Sequence, residues 1–337
     1  MEVLKLIVSW NTTNKCNLKC SHCYRDAGDV CEGELNTEEA KMLLDQITKA
    51  GFKIMIFSGG EPLMRDDIFE LISYASKIGL RPVLGSNGTL ITKEVAKKLK
   101  ESGITAIGIS LDSLNADKHS SFRGNEDAYK DTIDGMKNCR DTGIRFQIHT
   151  TVMDWNKSEI LPITDFAVAN GAAAHHIFFL VPTGRGKQIE KELLNSEGYE
   201  ELLTSIMKKQ QQVPIEIKPT CAPQFIRIAQ DLNMNIRFKK GCLAGISYCI
   251  INPKGDVQPC AYLTEVAGNV RKTSFDEIWK NSSIFNELRT LDYKGSCGTC
   301  KHKTSCGGCR ARAAYYNDGD YMAEENLCLY SNSQKSI

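Results

Sequence analysis

The sequence predicts an α/β fold on a parallel sheet, a partial (β/α)6 barrel, with a small cysteine-rich unit behind it. Three observations carry this. Short apolar runs of strand character alternate with amphipathic helical stretches as far as about residue 220. Glycine, serine and cysteine fall just after the strands, on the rim where barrel folds build their sites. The 14 cysteines are gathered rather than scattered, three within residues 16–23 and eight within 242–328.

The elements follow in order. Residues 4–10 read as a strand running into a cysteine loop. Asn36 or Thr37 caps an amphipathic helix over 37–50. The buried strand Lys53–Phe57 ends in Ser58-Gly-Gly-Glu-Pro62. Helix 66–78, strand 81–85, helix 92–102, strand 105–110, helix 126–142, strand 145–152, helix 157–170 and strand 174–181 continue the alternation. A helix near 197–212 leads to a short strand at 215–218. Roughly six β/α units with right-handed crossovers make a barrel or partial barrel with helices outside. Beyond about residue 235 the pattern changes. Ile250–Pro259 looks like a hairpin with a Pro-Lys-Gly-Asp turn, and 274–289 like a helix. The expected domains are therefore 1–235 and 236–337.

The 337 residues suffice for one large domain and a smaller one. With 42% hydrophobic and 25% charged residues, the chain buries a core without disulfides. A net charge of +1 argues against a broad nucleic-acid surface. No run of 18 apolar residues suggests a membrane span, and Met1-Glu-Val-Leu-Lys5 lacks a signal-peptide layout. A cytoplasmic protein is expected. In a reducing compartment, such cysteine richness points to metal or redox chemistry.

Cys16-Asn-Leu-Lys-Cys20-Ser-His-Cys23 has the spacing C-x3-C-x2-C. A [4Fe–4S] cluster ordinarily takes four thiolates, so three on one loop leave one iron open. Spacing alone leaves room for zinc, with a distant fourth ligand or with His22. These residues resemble the signature of the radical SAM (S-adenosylmethionine) superfamily, with Tyr24 as its following aromatic and Gly59-Gly60-Glu61-Pro62 as its second signature. The resemblance covers about the first 220 residues and implies a TIM-like partial barrel. It also implies that Cys16, Cys20 and Cys23 hold a cluster whose open iron is chelated by SAM, which is cleaved on reduction to methionine and a 5′-deoxyadenosyl radical. Gly59 and Gly60 would let the backbone approach the methionine part, Glu61 would accept from its ammonium, and Pro62 would fix the turn. Ser110 and Asp112, in Ser-Leu-Asp-Ser, look like a SAM-contacting segment. Arg123 resembles the arginine that pairs with the SAM carboxylate, against a plain surface arginine. Ser86 and Asn87 are candidate ribose or methionine contacts, with loop capping as the alternative.

The C-terminal array runs Cys242-x6-Cys249-x10-Cys260, then Cys297-x2-Cys300-x5-Cys306-x2-Cys309, then Cys328. Eight thiols are enough for two four-thiolate clusters or for two zinc ribbons. Beside the N-terminal half, the array resembles the SPASM domain, with x2 in the last pair where that family often has x3. The resemblance implies two auxiliary [4Fe–4S] clusters, one on Cys242, Cys249, Cys260 and Cys309, the other on Cys297, Cys300, Cys306 and Cys328. Such clusters suit a net oxidation, because a substrate radical that becomes a closed-shell product must lose an electron.

Ser9-Trp-Asn-Thr-Thr13, Gln147-Ile-His-Thr-Thr151, the stretch from His175 to Arg185 and Lys218-Pro-Thr-Cys-Ala-Pro-Gln224 resemble the branch serving the alternative, sirohaem-dependent haem pathway. Its haem synthases imply oxidative decarboxylation of two propionates of iron-coproporphyrin III, with reduced ferredoxin or flavodoxin as donor. A haem-d1-type or sirohaem-branch enzyme, or a peptide maturase, stays open; a maturase would often need an N-terminal extension, for which a strand beginning at residue 4 leaves no room. His149, His175 and His176 are candidate catalytic or iron-binding residues, and at most one of the adjacent pair faces the barrel interior. Arg185, Lys187 and Lys218 are candidate partners for carboxylates. Cys221 stands outside every group, as a buried thiol, a substrate-side ligand or a proton donor. Cys31 and Cys139 read as structural.

Overall fold

The computed structural model describes residues 6–332. Strands β1 (Ile7–Asn11), β2 (Ile54–Ser58), β3 (Arg81–Ser86), β4 (Ala106–Ser110), β5 (Phe146–Val152), β6 (Ala174–Phe179) and β7 (Glu216–Thr220) pair in parallel in chain order. Between them lie α1 (Thr37–Lys49), α2 (Ile68–Lys77), α3 (Lys93–Glu101), α4 (Ala116–Arg123), α5 (Ala128–Thr142), α6 (Ile160–Ala169) and α7 (Ser196–Gln210). The fold is the expected open α/β barrel, its six β/α units followed by β7, the short strand expected at 215–218. The expected first strand begins at residue 4; residues 4 and 5, and the Met1–Lys5 stretch as a whole, lie outside the described residues.

Local chemistry explains the elements. Asn36 caps α1 by accepting from the Glu39 amide, and the Glu39 carboxylate accepts in return from the Asn36 amide. Ala40, Leu43, Leu44 and Ile47 form the buried face of α1. The strands send Val8, Trp10, Met55, Phe57, Ile107, Ile109 and Ile148 outward into the same helix-covered core. The opposite parity therefore faces the barrel interior: Ser9 and Asn11, Ser58, Gly108 and Ser110, Gln147 and His149, His176 and Phe178, Glu216 and Lys218.

The C-terminal segment continues the barrel sheet. β8 (Tyr248–Ile251) pairs in parallel with β1. The expected hairpin follows, β8 with antiparallel β9 (Asp256–Gln258), then β10 (Gly268–Asn269). The whole sheet has ten strands in the order β10-β9-β8-β1-β2-β3-β4-β5-β6-β7. The remaining helices are α8 (Phe225–Asp231), α9 (Phe275–Asn281), α10 (Ser283–Thr290), α11 (Gly295–Thr299), α12 (Arg310–Tyr316) and α13 (Leu329–Asn332). The expected single helix at 274–289 is two, because Ser282 takes extended backbone and ends one while starting the other. α12 packs against the open side of the barrel, where the Arg312 guanidinium reaches the Cys221 carbonyl at 3.0 Å and the Phe179 carbonyl at 3.4 Å. Among the described residues no helix is long and apolar enough to cross a membrane.

Candidate active site

The cysteine loop leaves β1 and packs Cys16, Cys20 and Cys23 with Leu18 and Ala128. The loop is held from two sides. The Gly60 amide donates to the Thr13 carbonyl at 2.8 Å, and the Glu61 amide to the Lys15 carbonyl at 2.8 Å. A Cβ on Gly60 would stand 2.3 Å from the Lys15 carbonyl oxygen, and one on Gly59, at φ +146°, 2.6 Å from that of Thr13. The glycines thus admit the protein's own cysteine loop, where the sequence suggested the methionine part of SAM.

Arg185 closes the other side. Its Nε donates to the Cys20 carbonyl at 2.9 Å and Nη1 to the Ala27 carbonyl at 3.0 Å, while its own amide donates to the Cys23 carbonyl. Gly184 (φ +56°) makes this approach possible, since a Cβ there would meet the Cys23 carbonyl oxygen at 2.5 Å. Arg185 clamps the loop, and only its buried Nη2 lacks a partner among the described residues.

Other expected SAM contacts are internal ties. Glu61 is fully buried, and its two oxygens accept from the Leu63 amide, the Ser86 hydroxyl and the Asn87 amide. Burial pushes its pKa up to about 7. This corrects the expectation that Glu61 points at a SAM ammonium. Pro62 opens the 3-10 turn that Glu61 caps. Ser86 also accepts from the Gly88 amide, and the Asn87 side chain bonds Asn17 and Thr89, so capping accounts for both. Ser110, at the end of β4, lies in register with His149. Asp112 is fully buried and accepts from the Arg123 guanidinium at 2.6 Å and the Thr151 amide at 2.8 Å. The fork of Arg123 is thus engaged within the protein, with Nη1 3.8 Å from the Cys20 sulfur. Arg123 is buried, which rules out the surface reading. Tyr24 donates to Asn11 and lies 5.4 Å from the Tyr262 ring.

The barrel interior carries a polar row. Ser110 on β4, His149 on β5, His176 on β6 and Lys218 on β7 are in register. The His149 and His176 rings stack at 5.2 Å and 9°. Gly108 makes room, since a Cβ there would come within 2.2 Å of the His149 ring. Burial lowers His149 to about 4 and His176 well below its usual value, so both are neutral at pH 7. Lys218 is half-buried, but its Nζ is buried with no hydrogen-bond partner among the described residues and lies 3.5 Å from the Phe238 ring centroid and 4.3 Å from that of Phe225. Burial lowers its pKa to about 7. His175 points the other way, and its two nitrogens meet the Thr164 and Thr150 hydroxyls at 2.9 Å each. This corrects its candidacy as a catalytic residue. Lys187 is exposed.

The remaining thiols form two groups. Cys297, Cys300, Cys306 and Cys328 line one pocket together with Gly308 and Glu325. Arg310 Nη2 lies 3.7 Å from the Cys297 sulfur, and the Glu325 amide 3.4 Å from it. The second group holds Cys242, Cys260 and Cys309, each close enough to influence the others' ionisation. Cys221 packs against Cys260 and Cys309. Cys249 does not join them: it sits on the helix-facing side of β8 in the apolar core, which corrects its expected place as a ligand. Cys139 is buried in the same core on α5, and Cys31 bonds Glu34. The buried pair Arg312 and Glu325, at 3.2 Å, lies between the two thiol groups, with Glu325 accepting from the Cys309 amide. Sequence reasoning missed this pair; the signal was two arginines directly after a ligand-type cysteine, in Cys309-Arg-Ala-Arg312.

Among the described residues, no three or more His, Cys, Asp or Glu side chains gather closely enough to hold one metal ion. A single zinc draws its thiolates to about 2.3 Å, whereas a four-iron cube takes one at each corner. Cys297, Cys300, Cys306 and Cys328, which line one pocket, fit the cube.

Comparison with known proteins agrees. The radical SAM superfamily profile matches residues 10–167, and that of an iron–sulfur cluster-binding domain, SPASM, matches 242–309. A protein of Methanosarcina barkeri named AdoMet-dependent heme synthase is 41% identical over 98% of this chain and 97% of its own. The chain belongs to the radical SAM superfamily. A Nitratidesulfovibrio vulgaris protein with the same name as the Methanosarcina one is 42% identical over 96% of this radical SAM chain and 92% of its own. The fold matches Streptococcus suis SuiB bound to S-adenosylmethionine with a TM-score of 0.77, at 18% identity over 97% of this chain and 77% of that one. This radical SAM enzyme uses a SAM-binding [4Fe–4S] cluster, SAM, and auxiliary clusters in its SPASM domain.

Proposed function

We propose that the enzyme converts two propionates of iron-coproporphyrin III to vinyls, forming haem b. The observation that carries this reading is the interior row, in which two stacked neutral imidazoles lie in register with Lys218, whose buried Nζ makes no hydrogen bond. Imidazole suits a porphyrin iron or ring, and an ammonium that makes no hydrogen bond suits a propionate. The two 41–42% identical relatives named heme synthases support the same substrate class.

Each propionate, –CH2–CH2–COO−, becomes –CH=CH2 by losing one hydrogen atom, one CO2 and one electron. When bound, SAM and its cluster supply the radical that takes the hydrogen, and the auxiliary clusters supply a sink for the electron. Cys16, Cys20 and Cys23 would hold the first cluster, in a loop fixed by Gly59, Gly60 and Arg185. His149 and His176 would orient the ring. Lys218 would pair with a propionate, and Phe178, Phe225 and Phe238 would exclude water. Residues 1–235 would generate the radical while 236–337 receive the electron. Reduced ferredoxin or flavodoxin in the cytoplasm would be the donor.

The test is anaerobic incubation of the reconstituted enzyme with SAM, dithionite and iron-coproporphyrin III. Haem and a monovinyl intermediate are expected. Deoxyadenosine without either product would exclude this substrate while leaving the radical chemistry intact.

A further inference from the structure

Cys249 and Cys221 have exchanged the places that the SPASM resemblance implies for them. On β8, Tyr248 points into the barrel, its hydroxyl donating to the Ser9 side chain at 3.0 Å. Its neighbour Cys249 must then point outward. It does so with no accessible surface, in the core that also holds Ile251, Val257, Phe275 and Phe285. To ligate a cluster beside Cys260, Cys249 would have to cross its own sheet.

Cys221 stands where a ligand is missing. It follows β7 at the barrel rim and packs with Cys260, Cys309, Leu263 and Tyr262. Its backbone is left-handed at φ +57°, a conformation rare outside glycine and asparagine. That conformation is held by the Arg312 guanidinium on the Cys221 carbonyl at 3.0 Å. A cysteine kept in a strained turn and packed against two other thiols is not filler.

We propose that Cys221 is the fourth thiolate of the auxiliary cluster carried by Cys242, Cys260 and Cys309, in place of Cys249. This cluster is then closed by four thiolates and acts as an electron carrier, with one corner anchored to the barrel three residues beyond Lys218. The inference rests on the SPASM assignment and holds whatever the substrate.

The test uses the full-length chain, reconstituted anaerobically, in three variants: Cys249→Ala, Cys221→Gly and Cys221→Ser. The readouts are iron, sulfide and the EPR spectrum of the reduced protein. Cys249→Ala is expected to keep the wild-type content of about twelve irons and all cluster signals. Cys221→Gly, which tolerates the left-handed backbone, is expected to lose or shift one auxiliary signal, leaving the other auxiliary signal and the SAM-responsive signal unchanged. Cys221→Ser is expected to keep its iron with that same signal shifted, because an alkoxide replaces a thiolate. A wild-type signal in Cys221→Ser overturns the proposal, even if the glycine variant misfolds. So does loss of an auxiliary cluster in Cys249→Ala.

Discussion

Replacing Gly60 by alanine tests whether the Gly-Gly-Glu motif buttresses the cysteine loop. The new methyl carbon would stand 2.3 Å from the Lys15 carbonyl oxygen and 2.7 Å from that of Asn14. Ordinary contact begins near 3.4 Å, so the Lys15 carbonyl must retreat by about 1 Å. That carbonyl accepts from the Glu61 amide at 2.8 Å, so the retreat stretches this bond as well as displacing Cys16 next door. Overpacking costs about 1–3 kcal/mol and a weakened hydrogen bond about 1 kcal/mol. Chemistry is more sensitive than stability, because a misplacement of about 1 Å can cost about a hundredfold in rate. The assay is deoxyadenosine formation with SAM and dithionite, alongside EPR of the reduced protein. Gly60→Ala is expected to lower the rate by about a hundredfold and to alter the SAM-responsive signal alone. Gly28→Ala is the control: it lies in the same loop, and a Cβ there meets nothing within 4 Å. Wild-type turnover in Gly60→Ala, or equal damage in Gly28→Ala, would refute the reasoning.

Three further outcomes are expected. Lys218 has a folded pKa of about 7 against 10.5, so the folded protein binds fewer protons than the unfolded chain between those values, and its penalty is full below pH 7 and gone above 10.5. Thermal unfolding of unliganded Lys218→Met should therefore show its largest stabilisation over wild type at pH 7 or below, closing as pH rises toward 10.5, while KM for the porphyrin rises; a pH-independent gap would count against a buried, unpaired amine. His176→Ala should abolish the change in Soret absorption on adding iron-coproporphyrin III, whereas His175→Ala should leave it intact and cost about 1–3 kcal/mol in denaturant unfolding, through the orphaned Thr150 and Thr164 hydroxyls. Arg185→Lys replaces a two-pronged donor by a point charge, so iron loss from the SAM-binding cluster to a chelator should quicken, with auxiliary cluster signals unchanged.

What was legible in the sequence was what periodicity and capping dictate. The Asn36 to Glu39 box, the alternation of β1 to β7 and the hairpin at Asn252–Gly255 all rest on contacts a few residues apart. What escaped it was the outcome of long-range competition. Glu61 reads as a ligand because it is acidic and follows glycines, yet Ser86 and Asn87, brought 25 and 26 residues closer by the sheet, claim both its oxygens. Arg185 reads as a substrate residue, yet it spends its donors on carbonyls 165 and 158 residues away. The pair His175 and His176 shows the limit in one place. Alternation requires that they part, but only packing under α6 decides which one is inside.

The resemblance misleads at Cys249 for a related reason. Counting residues from Cys242 treats the C-terminal unit as a separate module with its own ligands. β8 belongs to the barrel sheet, paired to β1 along Ile7 to Trp10, so its alternation answers to the barrel core. One position of each pair must be apolar and outward, and Cys249 fills it. The ligand position it vacates lies against the rim of β7, the far edge of the parallel run, where Cys221 emerges. A sheet that wraps until β7 and the β8–β9 hairpin flank the same cysteine group would, on the proposed reading, bring the row of His149, His176 and Lys218 and the auxiliary cluster to one side of the molecule. Arg312, bonded at once to the Cys221 carbonyl and to Glu325 between the two thiol groups, ties that seam.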